Sequence, residues 1–247
     1  MKLYHRVFAS IFTFVLIIYS FVLIDPNFTL FNHPIWTVFR NELVKVGYYQ
    51  RNTSSLIYIF IIAMLFLFHW FCIKNYKTVS FRFLAILAFF IAIFSYPFLS
   101  HDFFNYLFDA KILTFYHQNP YLHRPIDFPS DPWLRFMHWT HRTYPYGPVF
   151  LLLTVIPSFL SFGKLIVDVI LFKVVFFALF LWSFHLLYKM NQKWGVYYAT
   201  NPLVIMEGLV NSHNDFVALS LAVIGIFYIK TNDNIRARIF LILSGGI

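Results

Sequence analysis

GPVFLLLTVIPSFLSFG, residues 147–163, is the stretch on which the topology of this chain turns. It is apolar enough to enter a bilayer, yet at about 17 residues it lies at the bottom of the length an α-helix needs to cross ~30 Å of hydrocarbon. Whether it crosses decides the side of every later segment. The other apolar runs are plainer: 7–24, 56–73, 83–99, 165–188, 195–210 and 216–229, with a further one opening at 239. AVILMFWYC residues make up 60% of the chain, charged residues 12%, and the mean hydropathy is +0.68. So few charges cannot coat a water-facing surface, which excludes the soluble classes. The reading is an all-α, polytopic transmembrane helical bundle.

Positive charge orients the bundle, because Lys and Arg accumulate on cytoplasmic loops. Lys2 and Arg6 put the N-terminus inside, and Lys74, Lys77 and Arg82 mark a second inside loop. If 147–163 crosses, Lys189, Lys193, Lys230, Arg236 and Arg238 all fall outside; if it does not, all five fall inside. The stretch is therefore read as a helix lying in or dipping into the outer leaflet, in keeping with Pro157 and its glycine ends, with a full span carrying exceptional charges as the alternative. Residues 100–164 then form one large outside segment, and NSHND at 211–215 faces the same side. The basic start followed by Val7–Ile24 lacks a small-x-small cleavage site and reads as an uncleaved anchor. The last residues enter a new apolar run, from which a longer parent protein is expected.

The formal charge of +9 is spread in short clusters between apolar runs rather than gathered into a stripe, so it carries topology and not nucleic-acid binding. The single cysteine, Cys72, lies within an apolar run and offers neither a disulfide framework nor a thiolate metal site. The 34 phenylalanines are scattered through every run and are assigned to lipid-facing and core filling.

The outside segment holds Asp102, Asp109, Asp127 and Asp131, four of the ten acids in the chain. A helix from about Ser100 to His117 places Asp102, Asn105, Tyr106 and Asp109 on one face. Its other face, Phe103, Phe104, Leu107 and Phe108, is expected to rest on lipid. A carboxylate at the edge of hydrocarbon is costly, which makes Asp102 a candidate functional group; capping the helix start is its structural alternative. The short runs 195–210 and 216–229 draw their shared turn below the headgroups, so His213, Asn214 and Asp215 are expected to line a recessed polar pocket. Glu207 is a further intramembrane acid, and Asp168 and Lys173 are expected to offset each other's burial.

SHDFFNYLFDAKILTFYHQNPY, followed by TYPYGP and then NPLVIMEGLVNSHND, resembles the lipoglycan α-1,6-mannosyltransferases of the MptA/MptB type, members of the GT-C superfamily of polyprenyl-phosphate-sugar glycosyltransferases. The resemblance covers about residues 83–230. It implies a core at 83–247 preceded by two extra N-terminal transmembrane helices within 1–82, and short juxtamembrane helices in the first large outside loop. It also implies an essential Asp in that loop, matched by Asp102, and a second acidic motif matched by His213, Asn214 and Asp215. The implied partners are a polyprenyl-phosphate sugar donor, with mannose resting wholly on the family, a glycan or glycolipid acceptor, and membrane lipids, at the plasma membrane.

With such a donor, Asp102 is the candidate general base for an inverting transfer, because phosphate departs as a stable anion and needs no acid. Lys111, Arg135, Arg142 and Lys173 are the cations available to the phosphate, Arg142 foremost, with a snorkelling interfacial role as its alternative. Trp133, Trp139, Tyr144 and Tyr146 can stack on sugar rings or form an interfacial aromatic belt. His101, Tyr106 and Asp109 complete the candidate substrate-binding set. A divalent ion on His101, His213, Asp102 and Asp215 is a second option, but no ligand spacing is diagnostic and no metal or cofactor is expected. The competing class is a transporter or lipid flippase with a relay through Glu207, Asp168 and Lys173.

Overall fold

The computed structural model describes residues 3–247, so Lys2 lies outside the described residues. Among them the chain is helical throughout, with no strand: α1 Leu3–Ser20, α2 Pro34–Val44, α3 Arg51–Lys74, α4 Phe81–Phe94, α5 Asp102–Thr114, α6 Pro148–Leu160, α7 Leu165–Met190, α8 Gln192–Thr200, α9 Asn214–Lys230 and α10 Asn234–Gly245. Among the described residues three segments are long and apolar enough to span a bilayer: Leu3–Leu23, Arg51–Lys74 and Leu165–Met190. A fourth is the broken pair formed by the π-helical turn Val204–Val210 and α9. The protein is a helical membrane bundle.

The chain forms two compact units. One comprises Met1–Leu99 with Phe180–Asn211, the other Ser100–Leu179 with Ser212–Ile247, so α7 contributes to both. In the first unit, the Tyr19 hydroxyl donates to the Ser54 carbonyl at 2.8 Å, joining α1 to α3, and His69 Nδ1 meets Thr200 Oγ1 at 2.8 Å, joining α3 to α8. Leu16, Ile61, Leu65, Ile91 and Val196 are buried among these helices. At Gly47 a Cβ would stand 1.9 Å from the Val22 carbonyl oxygen, so only glycine lets the π-helical turn Lys45–Tyr49 close on the end of the first span.

Two expected spans are interrupted. The run 83–99 is helical only to Phe94, because Pro97 supplies no N–H and biases Tyr96 away from helical geometry. The extended remainder has its backbone satisfied by side chains: Tyr96 N–H donates to Ser20 Oγ at 2.8 Å and Leu99 N–H to Asn211 Oδ1 at 3.2 Å. Non-helical backbone is tolerated in a bilayer only with such partners. The run 195–210 likewise breaks at Asn201–Pro202, giving α8 and then the π-helical turn.

In the second unit, the short apolar stretch 147–163 forms the 13-residue α6. At 1.5 Å per residue it covers ~20 Å, too little to cross. It ends through Phe162 and Gly163, both with left-handed backbone, φ 51° and 72°. Helix α5 departs from the expectation of a lipid-resting face. Phe103, Phe104, Leu107 and Phe108 are all buried, as are Asn105, Tyr106 and Asp109 on the other side. The oily face packs instead into an aromatic core in which Phe103 meets Phe172 edge-on at 5.3 Å, and Phe172 stacks on toward Phe176 at 5.0 Å. Helix α5 is the centre of this unit, and that fixes the direction of its one open carboxylate.

Candidate active site

Asp102 is the first residue of α5, at the positive end of the helix dipole. Its carboxylate does not cap the helix: His101 is the N-cap residue and makes no side-chain cap bond, while Asp102 N–H is taken by Ser100 Oγ at 3.2 Å. Two groups flank the carboxylate instead. Arg142 Nη2 lies 3.7 Å from Oδ1, and His213 Nε2 lies 3.8 Å from Oδ2. Both separations exceed hydrogen-bond length, so the oxygens keep lone pairs open to a third group. The three side chains are 24–29% exposed, sheltered but reachable.

Each neighbour is placed by its own backbone. Asn105, one turn along α5, clasps the loop before Arg142: its Nδ2 donates to the Trp139 carbonyl at 2.9 Å and its Oδ1 accepts from Trp139 N–H at 3.3 Å. The Arg142 guanidinium then sits over the rings of Tyr146 at 5.6 Å and Trp139 at 5.7 Å. His213 precedes α9 because Ser212, at φ 53°, turns the chain sharply before it. The other ring nitrogen of His213, Nδ1, is 3.5 Å from the exposed Asp215 carboxylate, so the imidazole lies between two acids. Asn214 is buried and accepts a hydrogen bond from the Tyr106 hydroxyl at 3.3 Å, tying α9 to α5.

Beneath this group lies Asp109, two turns along α5 and only 3% exposed. Burial pushes its carboxyl up to about 7, and the Asp102 charge adds to the rise while Arg142 opposes it. Tyr106, Tyr144 and Tyr146 interlock edge-to-face at 5.2 Å and 5.5 Å. Burial raises the hydroxyls of Tyr106 and Tyr144 well above the usual phenol range, and the buried Tyr144 hydroxyl has no hydrogen-bond partner.

Asp102, Tyr106, Asp109, Arg142, Tyr144, Tyr146, His213, Asn214 and Asp215 are thus gathered in one unit. Three expected contributors stand apart. Lys111 is buried and bonded to Asp131, which also accepts from Tyr116 hydroxyl at 2.7 Å and Trp133 N–H at 2.8 Å; this cation holds the loop to α5 and is not free for a phosphate. Lys173 is fully buried, its ammonium 5.6 Å from the Phe103 ring. Asp168 is equally buried and neither of its oxygens accepts a hydrogen bond, so the expected offset with Lys173 is not made as a hydrogen bond. His101 is exposed and stacks on His138 at 4.9 Å. Among the described residues no three His, Cys, Asp or Glu side chains converge as metal ligands, so the four-residue option of the sequence is not assembled.

The four acids of residues 100–164 have different surroundings. Asp127 pairs with Arg124 at the surface, Asp131 is spent on Lys111, Asp109 is buried, and Asp102 alone stands open between a cation and an imidazole. Asn105 is the positioning residue that sequence reasoning missed; it was legible as a member of the Asp102 face but carried no signal of its backbone clasp.

A family model described as alpha-(1->6)-mannopyranosyltransferase, N-terminal domain, matches residues 31–247. The chain belongs to this mannosyltransferase family. The matched residues include α2 and α3. No curated protein and no solved structure matches the chain. The family makes the chain a membrane glycosyltransferase, with a sugar donor and a glycan acceptor as partners.

Proposed function

We propose that the chain transfers mannose from a polyprenyl-phosphate donor to a cell-envelope or lipid-linked glycan with inversion at the anomeric carbon, Asp102 acting as general base. The single observation that carries this reading is the Asp102 carboxylate held between Arg142 and His213, with its oxygens within 3.7–3.8 Å of both and hydrogen-bonded to neither. An acceptor hydroxyl entering that gap gives its proton to a carboxylate oxygen as it attacks the anomeric carbon. The bond to phosphate breaks on the opposite face, and the phosphate leaves as an anion steadied by the Arg142 guanidinium. The aromatic cluster of Tyr144, Tyr146 and Trp139 around Arg142 offers ring faces to the sugars.

The same reading sets the orientation. The N-terminus is cytoplasmic in the plasma membrane, and 100–164 and 211–215 face outward, where a lipid-tethered sugar presents its head. The shortness of α6 supports it, since a non-crossing α6 leaves Lys74, Lys77, Lys189, Lys193, Lys230, Arg236 and Arg238 on one side.

An α-linked product formed with inversion requires a β-linked donor. Membranes containing the full-length protein, supplied with β- or α-linked polyprenyl-phosphate mannose and a mannoside acceptor, test this directly. Product from the β-donor alone supports the reading, and product from the α-donor, or from a sugar nucleotide without lipid, overturns it.

A further inference from the structure

The first unit carries two adjoining clefts that the transfer site does not use. One, of about 380 Å³, is walled by Tyr19, Leu23, Tyr58, Phe98 and Leu99, with Arg51 at its rim. The other, of about 370 Å³, is polar, lined by Gln50, Asn52 and Thr53. The two share Tyr48 and Arg51. Tyr19 and Leu23 end the first span and Arg51 begins the next, so both clefts open at the headgroup level of one membrane face. Arg51 has no ion-pair partner among the described residues, unlike Arg124, Arg142 and Arg236.

An apolar recess and a polar recess joined at an unpaired guanidinium fit an amphiphile. A sugar fits less well, because most hydroxyls of the apolar wall are already engaged. Tyr19 donates to the Ser54 carbonyl at 2.8 Å and Tyr48 to the Leu23 carbonyl at 3.3 Å, so the apolar recess presents mainly ring and alkyl surface.

We propose that this double cleft binds a lipid with an anionic phosphate head, the phosphate on Arg51 and the polar recess, the first part of the chain against Tyr19, Tyr58 and Phe98. Two sources share that chemistry, a phospholipid of the surrounding bilayer and a polyprenyl phosphate. The site stands independently of Asp102 and its reaction.

The test uses the full-length protein in phosphatidylcholine nanodiscs doped with either phosphatidylglycerol or undecaprenyl phosphate, with retained lipid counted by mass spectrometry after extraction into detergent. Wild type and Arg51→Lys retain the anionic lipid, and Arg51→Gln retains about tenfold less. Ser55→Trp, which fills the apolar recess and leaves the charge in place, lowers retention as well. Arg51→Gln lowers retention by the same factor when Arg142 is also replaced by Gln, which separates this cleft from the phosphate group of the transfer site. Preference for one doped lipid identifies the source. Equal retention by wild type and Arg51→Gln, no preference for either anionic lipid over phosphatidylcholine, or no effect of Arg51→Gln in the Arg142→Gln background overturns the proposal.

Discussion

His213 Nε2 lies 3.8 Å from Asp102 Oδ2, although one residue precedes α9 and the other opens α5. The imidazole's second nitrogen faces Asp215 at 3.5 Å. In the proposed reaction His213 is the group that holds the Asp102 carboxylate in place. Replacing His213 with Ala is expected to lower kcat by about tenfold and leave donor KM nearly unchanged, while His213→Gln, which keeps a polar group at similar reach, recovers part of the rate. Steady-state transfer kinetics with both variants checks this; unchanged kcat in His213→Ala contradicts it.

Arg142 combines charge with a planar face laid over Tyr146 and Trp139. A lysine keeps the charge and loses both the fork and the stacking. Arg142→Lys is therefore expected to lose about 10- to 100-fold in kcat/KM, and Arg142→Gln more, measured by transfer at limiting donor. Asn105→Ala, which releases the Trp139 backbone, is expected to weaken the same parameter by a smaller factor without removing any charged group.

Asp109 gives a pH dependence of stability whose sign follows from burial. Its carboxyl is raised from 3.8 to about 7, so the folded state holds a proton that the unfolded chain releases near pH 4. The stabilisation is fully present below pH 4 and is lost as the pH rises through about 7, by an amount on the order of 4 kcal/mol. Above that range no further change from this group is expected. Thermal unfolding in detergent between pH 4 and 8 checks it: wild type falls relative to Asp109→Asn across this window, and parallel curves contradict the assignment.

The buried pair of Lys111 and Asp131 makes a different prediction. Lys111→Met leaves the Asp131 carboxylate buried with only Tyr116 hydroxyl and Trp133 N–H as partners. Removing one partner of a buried pair typically costs about 3–5 kcal/mol. The variant is expected to lose that much stability, read from chemical denaturation, and a variant as stable as wild type shows that the pair is not needed.

How much of this was legible in the sequence depended on what each residue is surrounded by. The apolar runs and the shortness of the 147–163 stretch follow from composition and length, which act locally. The interruptions at Pro97 and Pro202 were written in the sequence too, but the apolar residues around them masked the breaks. Helix α5 was misjudged because an oily face looks the same whether it meets lipid or the ring of Phe172, and only tertiary packing distinguishes the two. The roles of Lys111 and Asn105 were out of reach for the same reason: each depends on a partner, Asp131 or the Trp139 backbone, that spacing along the chain does not reveal.

The central claim is that Asp102 takes the acceptor proton. Its most direct measurement is transfer of radiolabelled mannose from polyprenyl-phosphate mannose in membranes holding the full-length protein, wild type against Asp102→Asn. The account predicts a loss of about 10²- to 10⁴-fold in kcat with donor KM little changed. Transfer by Asp102→Asn at the wild-type rate would contradict it.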